Sequence, residues 1–239
     1  MDRSPSLVLI HGHGVDASIW DSIYADLTSG TSPLKPDFAH YTDLTTIEAY
    51  ADQLNNQLKA GTAGRVILVG HSMGGYIALA FAEKYPERIA GLVLYHSTAL
   101  ADDDTRREAR RQAINELKQQ GTPAFIQKQL PKMVAPDYPS AETQRLTGRY
   151  QDLPADALIA GLRAMAARPD RTHVLRNATY PVLLVAGEQD QIIPPDKTAQ
   201  LAGLSDRISL AIIEQAGHLS MVEQPQKSVE VLRTFTNEF

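Results

Sequence analysis

Short, continuous apolar runs alternate along this chain with stretches in which apolar residues recur at helical spacing. Leu7-Val8-Leu9-Ile10, Val66-Ile67-Leu68-Val69, Ile89 to Tyr95 and Val182 to Ala186 are rich in β-branched residues, and glycine, proline or polar clusters bound them. Such runs read as strands buried on both faces, the pattern of a parallel sheet. Ile208 to Ile213 is the last of them. Between the runs, Ile19, Ile23 and Leu27 fall four apart behind Asp16. Ile47, Ala51, Leu54 and Leu58 share the face of a helix that opens at the capping-box pattern Thr45-x-x-Glu48 and closes around Gly61 and Gly64. Ile77, Ala78, Phe81 and Ala82 lie on a helix that stops at Tyr85-Pro86. Another runs from Pro194-Pro195 through Leu201, and Val229, Leu232 and Phe235 mark a last one from about Gln226. Residues 28 to 43, broken by Pro33, Pro36 and Asp37, hold at most a short edge strand at Phe38-Ala39-His40-Tyr41. Strand and helix in alternation predict an α/β domain around a mostly parallel sheet.

The rhythm is interrupted once. From residue 100 to 176 no strand pattern occurs, and Pro123, Pro131, Pro136, Pro139, Pro154 and Pro169 break helical stretches. We divide the chain accordingly into a first core part (1–99), a helical insertion (100–176) and a second core part (177–239). The insertion opens with Asp102-Asp103-Asp104, suited to a helix N-terminus. Arg106, Arg107, Arg110 and Arg111 follow, and Gly121 ends the helix. Such an arginine cluster is ordinarily a solvated helix face. Pointing inward, it would grip an acidic substrate, as would Arg163 or Arg168.

Composition narrows the class. In 239 residues, 43% are hydrophobic, enough for a sizeable core, and the net charge of −5 argues against nucleic acid or an anionic membrane as partner. The absence of cysteine excludes disulfides, thiolate zinc sites and a cysteine nucleophile. The first apolar run is too short for a signal-peptide core, and no run approaches membrane-spanning length. These features lead us to expect a cytoplasmic protein with a small-molecule substrate; no stretch marks a self-association patch.

The chemistry concentrates at Gly70-His71-Ser72-Met73-Gly74-Gly75, where a buried strand passes directly into a small-residue helix. Glycine on either side of the tip lets strand and helix pass closely, and the tip residue takes a strained backbone. It stands above a helix N-terminus that favours negative charge, which suits a serine attacking a carbonyl. Ser72 is the expected nucleophile. A serine hydroxyl needs a base, and His218 follows a strand and a glycine. The imidazolium so formed needs a carboxylate, and Asp190 follows Gly187 at another strand end. Glu188 and Asp196 compete for that role. The pair His11-x-His13 invites a metal reading, but no third ligand lies nearby in sequence, and no metal is expected. His71 reads as packing beside the elbow. His96, at a strand end, is a candidate substrate contact, as are Met165, Ile192 and Leu219.

These motifs together resemble the α/β-hydrolase fold family over nearly the whole chain. The His11-Gly12 turn, Trp20, the Ser72 elbow, Tyr85-Pro86-Glu87-Arg88, Gly187-x-x-Asp190 and Gly217-His218 carry the resemblance, in the chain order nucleophile, acid, base. The match favours Asp190 as the acid. The resemblance implies a central sheet lacking the family's first two strands, with residues 100–176 as a helical cap. It implies an oxyanion hole from the backbone N–H groups of His13 and Met73, and no cofactor. The family's usual glycine-rich turn is missing from Asp37 to Asp43. The leading expectation is a serine hydrolase acting on a small carboxylic ester, thioester or lactone. The alternatives are a C–C bond hydrolase or lyase acting on an acidic substrate, and a ligand receptor with slow turnover.

Overall fold

The structure is a computed structural model that describes residues 5–28, 33–61 and 64–239. Five strands, β1 (Ser6–Ile10), β2 (Val66–His71), β3 (Ile89–Tyr95), β4 (Val182–Gly187) and β5 (Ile208–Ile213), form one sheet. They lie side by side in sequence order, and every pairing is parallel. β2, β3 and β4 are buried at every position, as their unbroken apolar runs require. β5 forms an edge and leaves Leu210 and Ile212 exposed.

Of the 28–43 stretch, residues 29–32 lie outside the described residues, and the rest touches the sheet beside β1 at Leu34 rather than at Phe38–Tyr41. Leu34 bridges Val8, donating its N–H to Leu7 O and accepting from Leu9 N–H. Phe38 is buried, and its N–H donates to His11 Nε2 at 2.8 Å. A prolyl residue on each side of Leu34, at positions 33 and 36, keeps this edge from extending.

After β1, Asp16 accepts from Ser18 N–H at 2.8 Å and opens three short helical turns that bury Ile19, Ile23 and Leu27. Helix α1 (Ile47–Gly61) buries the apolar face read from the sequence. Its cap lies one residue later than the Thr45 pattern suggests. Thr46 Oγ1 accepts from Ala49 N–H at 3.2 Å, and Glu48 pairs with Arg171 instead of folding back on the helix start. Helix α2 (Met73–Lys84) is buried along its first ten residues, Met73 to Ala82, between the sheet and α1.

The segment between β3 and β4 holds helices and no strand: α3 (Asp104–Gln129), α4 (Ser140–Tyr150), α5 (Ala155–Ala167) and α6 (Thr172–Arg176). Gly121 (φ 78°, ψ 175°) interrupts α3, where the sequence reading ends that helix. A second helical segment, opened by Pro123, continues from it. α3 packs on α5, and Arg168 donates to the buried Asp102 carboxylate at 2.7 Å. Hydrogen bonds tie the insertion to the core near the sheet's C-terminal edge, two of them beside His218. His218 N–H donates to Met133 O at 2.7 Å, and Ala135 N–H donates to Glu223 at 2.7 Å. Helix α7 (Pro195–Ala202) follows β4, and α8 (Pro225–Thr236) closes the chain with Val229, Leu232 and Phe235 buried.

Candidate active site

Ser72 stands between β2 and α2 with φ 51° and ψ −114°. A side chain other than glycine adopts such a positive φ only under strain, so the neighbours must over-determine it. Ser72 N–H donates to Tyr95 O at 3.0 Å, and its carbonyl accepts from Gly75 N–H at 3.0 Å and from Ser97 Oγ at 2.7 Å. The flanking glycines permit this. A Cβ at Gly70 would collide with the Gly74 backbone, and one at Gly74 with the carbonyls of Ile10 and His11.

His218 lies on the loop after β5. Its Nδ1–H donates to Asp190 Oδ2 at 2.7 Å, and both side chains are buried. The other ring nitrogen, Nε2, is buried and has no hydrogen-bond partner among the described residues. Ser72 and His218 line one cavity of about 350 Å³, whose walls include Tyr76, Phe125, Ile126 and Leu162. Asp190, after β4, is held in place by the N–H groups of Ile192 and Ile193, which donate to Oδ1 at 2.8 and 2.9 Å. Burial disfavours its charged form. The charges and hydrogen bonds of His218 and His96 outweigh that cost and hold the carboxyl well below the usual carboxylate range. An ionised Asp190 keeps the His218 proton on Nδ1 and leaves the Nε2 lone pair toward the cavity.

The remaining candidates separate cleanly. Met165 and Ile192 line the cavity; His96 and Leu219 do not, and both are buried behind it. His96 also has a positive φ (49°). Its Nδ1 lies 3.1 Å from Asp190 Oδ2 and its Nε2 2.6 Å from Ser220 Oγ. It is a partner of the acid, not a wall of the cavity. Glu188 accepts from Gln215 N–H at 3.0 Å, and Asp196 is exposed at the start of α7. Neither meets His218. His71 Nε2–H donates to His218 O at 2.9 Å, packing beside the elbow as the sequence suggests. The backbone N–H groups of His13 and Met73 donate to no other group among the described residues. His13 lines the cavity, and Met73 opens α2.

The imidazoles of His11 and His13 are engaged by the protein itself. His11 donates Nδ1–H to Gly12 O at 2.7 Å and accepts from Phe38, and His13 Nε2–H donates to Leu158 O at 2.9 Å. Burial outweighs that last bond and lowers the His13 pKa to about 4, so the ring is neutral at pH 7. His96, Asp190 and His218 bring three ligand-type atoms together. Separations of 2.7 and 3.1 Å fit hydrogen bonds. Zinc ligands on bonds of about 2.1 Å sit about 3.4 Å apart.

Two features escaped the sequence reading. Glu223 accepts from Gly217 N–H and Leu219 N–H, each at 2.9 Å, as well as from Ala135, so one carboxylate clasps both sides of His218 and the insertion. Its only sequence signal is an acid five residues after the histidine. The arginine cluster also splits: Arg106 and Arg110 line the cavity, while Arg107 and Arg111 pair with Asp104 and Glu108 on the outer face. Arg163 is exposed, and Arg168 is buried outside the cavity lining.

With this fold and site in view, the chain belongs to the alpha/beta hydrolase family, whose profile matches residues 7–231. It is similar to a thermophilic esterase from Thermogutta terrifontis, with a TM-score of 0.92 and 27% identity over 100% of this chain and 91% of that one. The enol-lactonase from Burkholderia xenovorans LB400 shares the fold, with a TM-score of 0.89 and 20% identity over 98% of this chain and 92% of the other. Among curated relatives, the pimeloyl-[acyl-carrier protein] methyl ester esterase of Salmonella newport is 25% identical, covering 95% of this chain and 92% of that protein. The 2-(acetamidomethylene)succinate hydrolase of Mesorhizobium japonicum is 23% identical, covering 97% of this chain and 87% of that one. Among the described residues no helix is long and apolar enough to cross a membrane.

Proposed function

We propose that this hydrolase is a cytoplasmic serine hydrolase that cleaves a small carboxylic ester, thioester or lactone. One observation carries the reading: Ser72, at positive φ, lines the same cavity as His218, whose far side is bonded to a buried Asp190. The esterases among its relatives support it. Ser72 Oγ adds to the substrate carbonyl while His218 Nε2 takes its proton. The His13 and Met73 N–H groups hold the oxyanion, each contributing ~3–4 kcal/mol of transition-state stabilisation. Collapse breaks the bond to the leaving oxygen or sulfur, which receives the proton from His218. Water then attacks the acyl group on Ser72, giving a proton to His218. The second collapse releases the acid and returns that proton to Ser72. Residues 100–176 act as the cap that roofs the site.

The test is initial rates on p-nitrophenyl esters of two to twelve carbons. The wild type turns over repeatedly, and Ser72→Ala lowers kcat by about 10⁶ or to background. Equal, slow rates for the two proteins on every ester would refute ester hydrolysis. They would leave the second reading, a C–C bond hydrolase or lyase acting on an acidic substrate, for which Arg106 and Arg110 in the cavity speak.

A further inference from the structure

The charge in the cavity wall is one-sided. Among the described residues no Asp or Glu lines it, whereas Arg106 and Arg110, one helical turn apart on α3, both do. Their neighbours Arg107 and Arg111 face outward and pair with carboxylates one turn away on the same helix, so the inward pair is not an extension of a solvated face. Arg110 is engaged by Asp102 through Nε and, at 3.3 Å, through Nη2, and its Nη1 reaches Met165 Sδ at 3.4 Å. The Asp102 carboxylate also takes Arg168 at 2.7 Å. Two guanidinium groups therefore share one buried carboxylate, which leaves positive charge beside the cavity. Arg168 additionally lies over the ring of Tyr76, a cavity residue, at 3.9 Å.

Arg106 is the less satisfied of the inward pair. It donates Nη2–H to Ile192 O at 3.1 Å and meets no carboxylate among the described residues. A guanidinium carries five N–H donors in a planar fork that matches a carboxylate. A neutral ligand packed against it would desolvate that charge without replacing its hydrogen bonds; a carboxylate would replace them.

We infer that the substrate carries a free carboxylate in addition to the carbonyl that Ser72 attacks, and that Arg106 binds it, with Arg110 adding charge from one turn further along α3. This rests on the ester-hydrolase reading and names its substrate class: hemiesters, or esters of acids with a second carboxyl group. The competing role for Arg106 is a strap from α3 to the loop that carries Asp190, through Ile192. The two roles differ in what they discriminate. Loss of a strap slows all substrates alike, whereas loss of an anion contact changes the ratio between charged and neutral ones.

The experiment compares kcat/KM for monomethyl and dimethyl succinate, glutarate and adipate, followed by proton release. A second arm titrates adipate into each protein calorimetrically and needs no turnover. Wild type is expected to prefer the best monomethyl ester over its neutral diester by about 10-fold or more, the effect of one charged hydrogen-bonded pair. Arg106→Gln should bring that ratio near one and abolish adipate binding. Arg106→Lys, which keeps the charge without the fork, should give an intermediate ratio, and Arg107→Gln should match wild type. The inference is overturned if neutral diesters are cleaved as well as hemiesters, if the preference survives both Arg106 substitutions, or if adipate binds wild type and Arg106→Gln equally or binds neither. Adipate binding that depends on Arg106, with no ester cleaved, would instead sink the ester-hydrolase reading and leave the carboxylate site standing.

Discussion

At the scale of single residues, the site depends on side chains that never reach the substrate. Glu223 is the clearest case. Burial raises its pKa, yet its two oxygens accept three main-chain N–H groups, from Ala135, Gly217 and Leu219. Glu223→Gln must turn an amide NH₂ toward at least one of them. The expected cost is about 1–3 kcal/mol in urea unfolding, with a lower kcat because His218 loses its anchorage. An unchanged midpoint would show the clasp to be incidental. His96 makes a different prediction. Its Nδ1 lies 3.1 Å from the Asp190 Oδ2 that His218 also meets and within 3.2 Å of Gly187 N–H, so His96→Leu removes a polar partner from behind the acid. The kcat should then fall while KM stays near the wild-type value; an unchanged kcat contradicts a positioning role. Ser72, Asp190 and His218 were legible because each follows a strand end at a glycine. Glu223 was not, since nothing in a linear pattern marks which carboxylate will collect backbone amides across two loops.

At the scale of elements, apolar periodicity placed all five strands and the main core helices, because strands buried on both faces and one-sided helices leave unmistakable patterns. What it missed was decided by tertiary contacts. Glu48 fits a capping box with Thr45, but Arg171 draws it away and Thr46 takes over the cap. The single bridge at Leu34 is too short to have a period. The arginines of α3 read as one solvated cluster, and only the cavity on one side of that helix separates 106 and 110 from 107 and 111. Gly121 carries a prediction of its own. Its backbone (φ 78°, ψ 175°) is essentially closed to residues with a Cβ, and it sets the angle at which Phe125 and Ile126 enter the cavity wall. Gly121→Ala should cost about 1–3 kcal/mol and alter the acyl-chain optimum. Wild-type stability and selectivity would argue against a fixed kink.

At the scale of the whole molecule, the buried histidines give stability a pH dependence. Burial lowers His13 from an ordinary 6.5 to about 4 in the folded state, and His71 and His96 are depressed for the same reason. Above pH 6.5 folded and unfolded rings are both neutral, so this contribution is complete. As pH falls below 6.5 the unfolded chain takes protons that the folded chain refuses, and stability declines down to about pH 4 for His13. Urea midpoints should therefore hold from pH 7.5 to about pH 6.5 and fall from there to pH 5. A flat profile over that range would contradict the burial of these rings.

The central claim is that Ser72, activated by His218, is the nucleophile. Its most direct test is reaction with a fluorophosphonate ester followed by intact mass and peptide mapping. The structure predicts one adduct per chain, located on Ser72, absent in Ser72→Ala and strongly slowed in His218→Gln. No adduct on Ser72, or labelling that persists in Ser72→Ala at the wild-type rate, would contradict it.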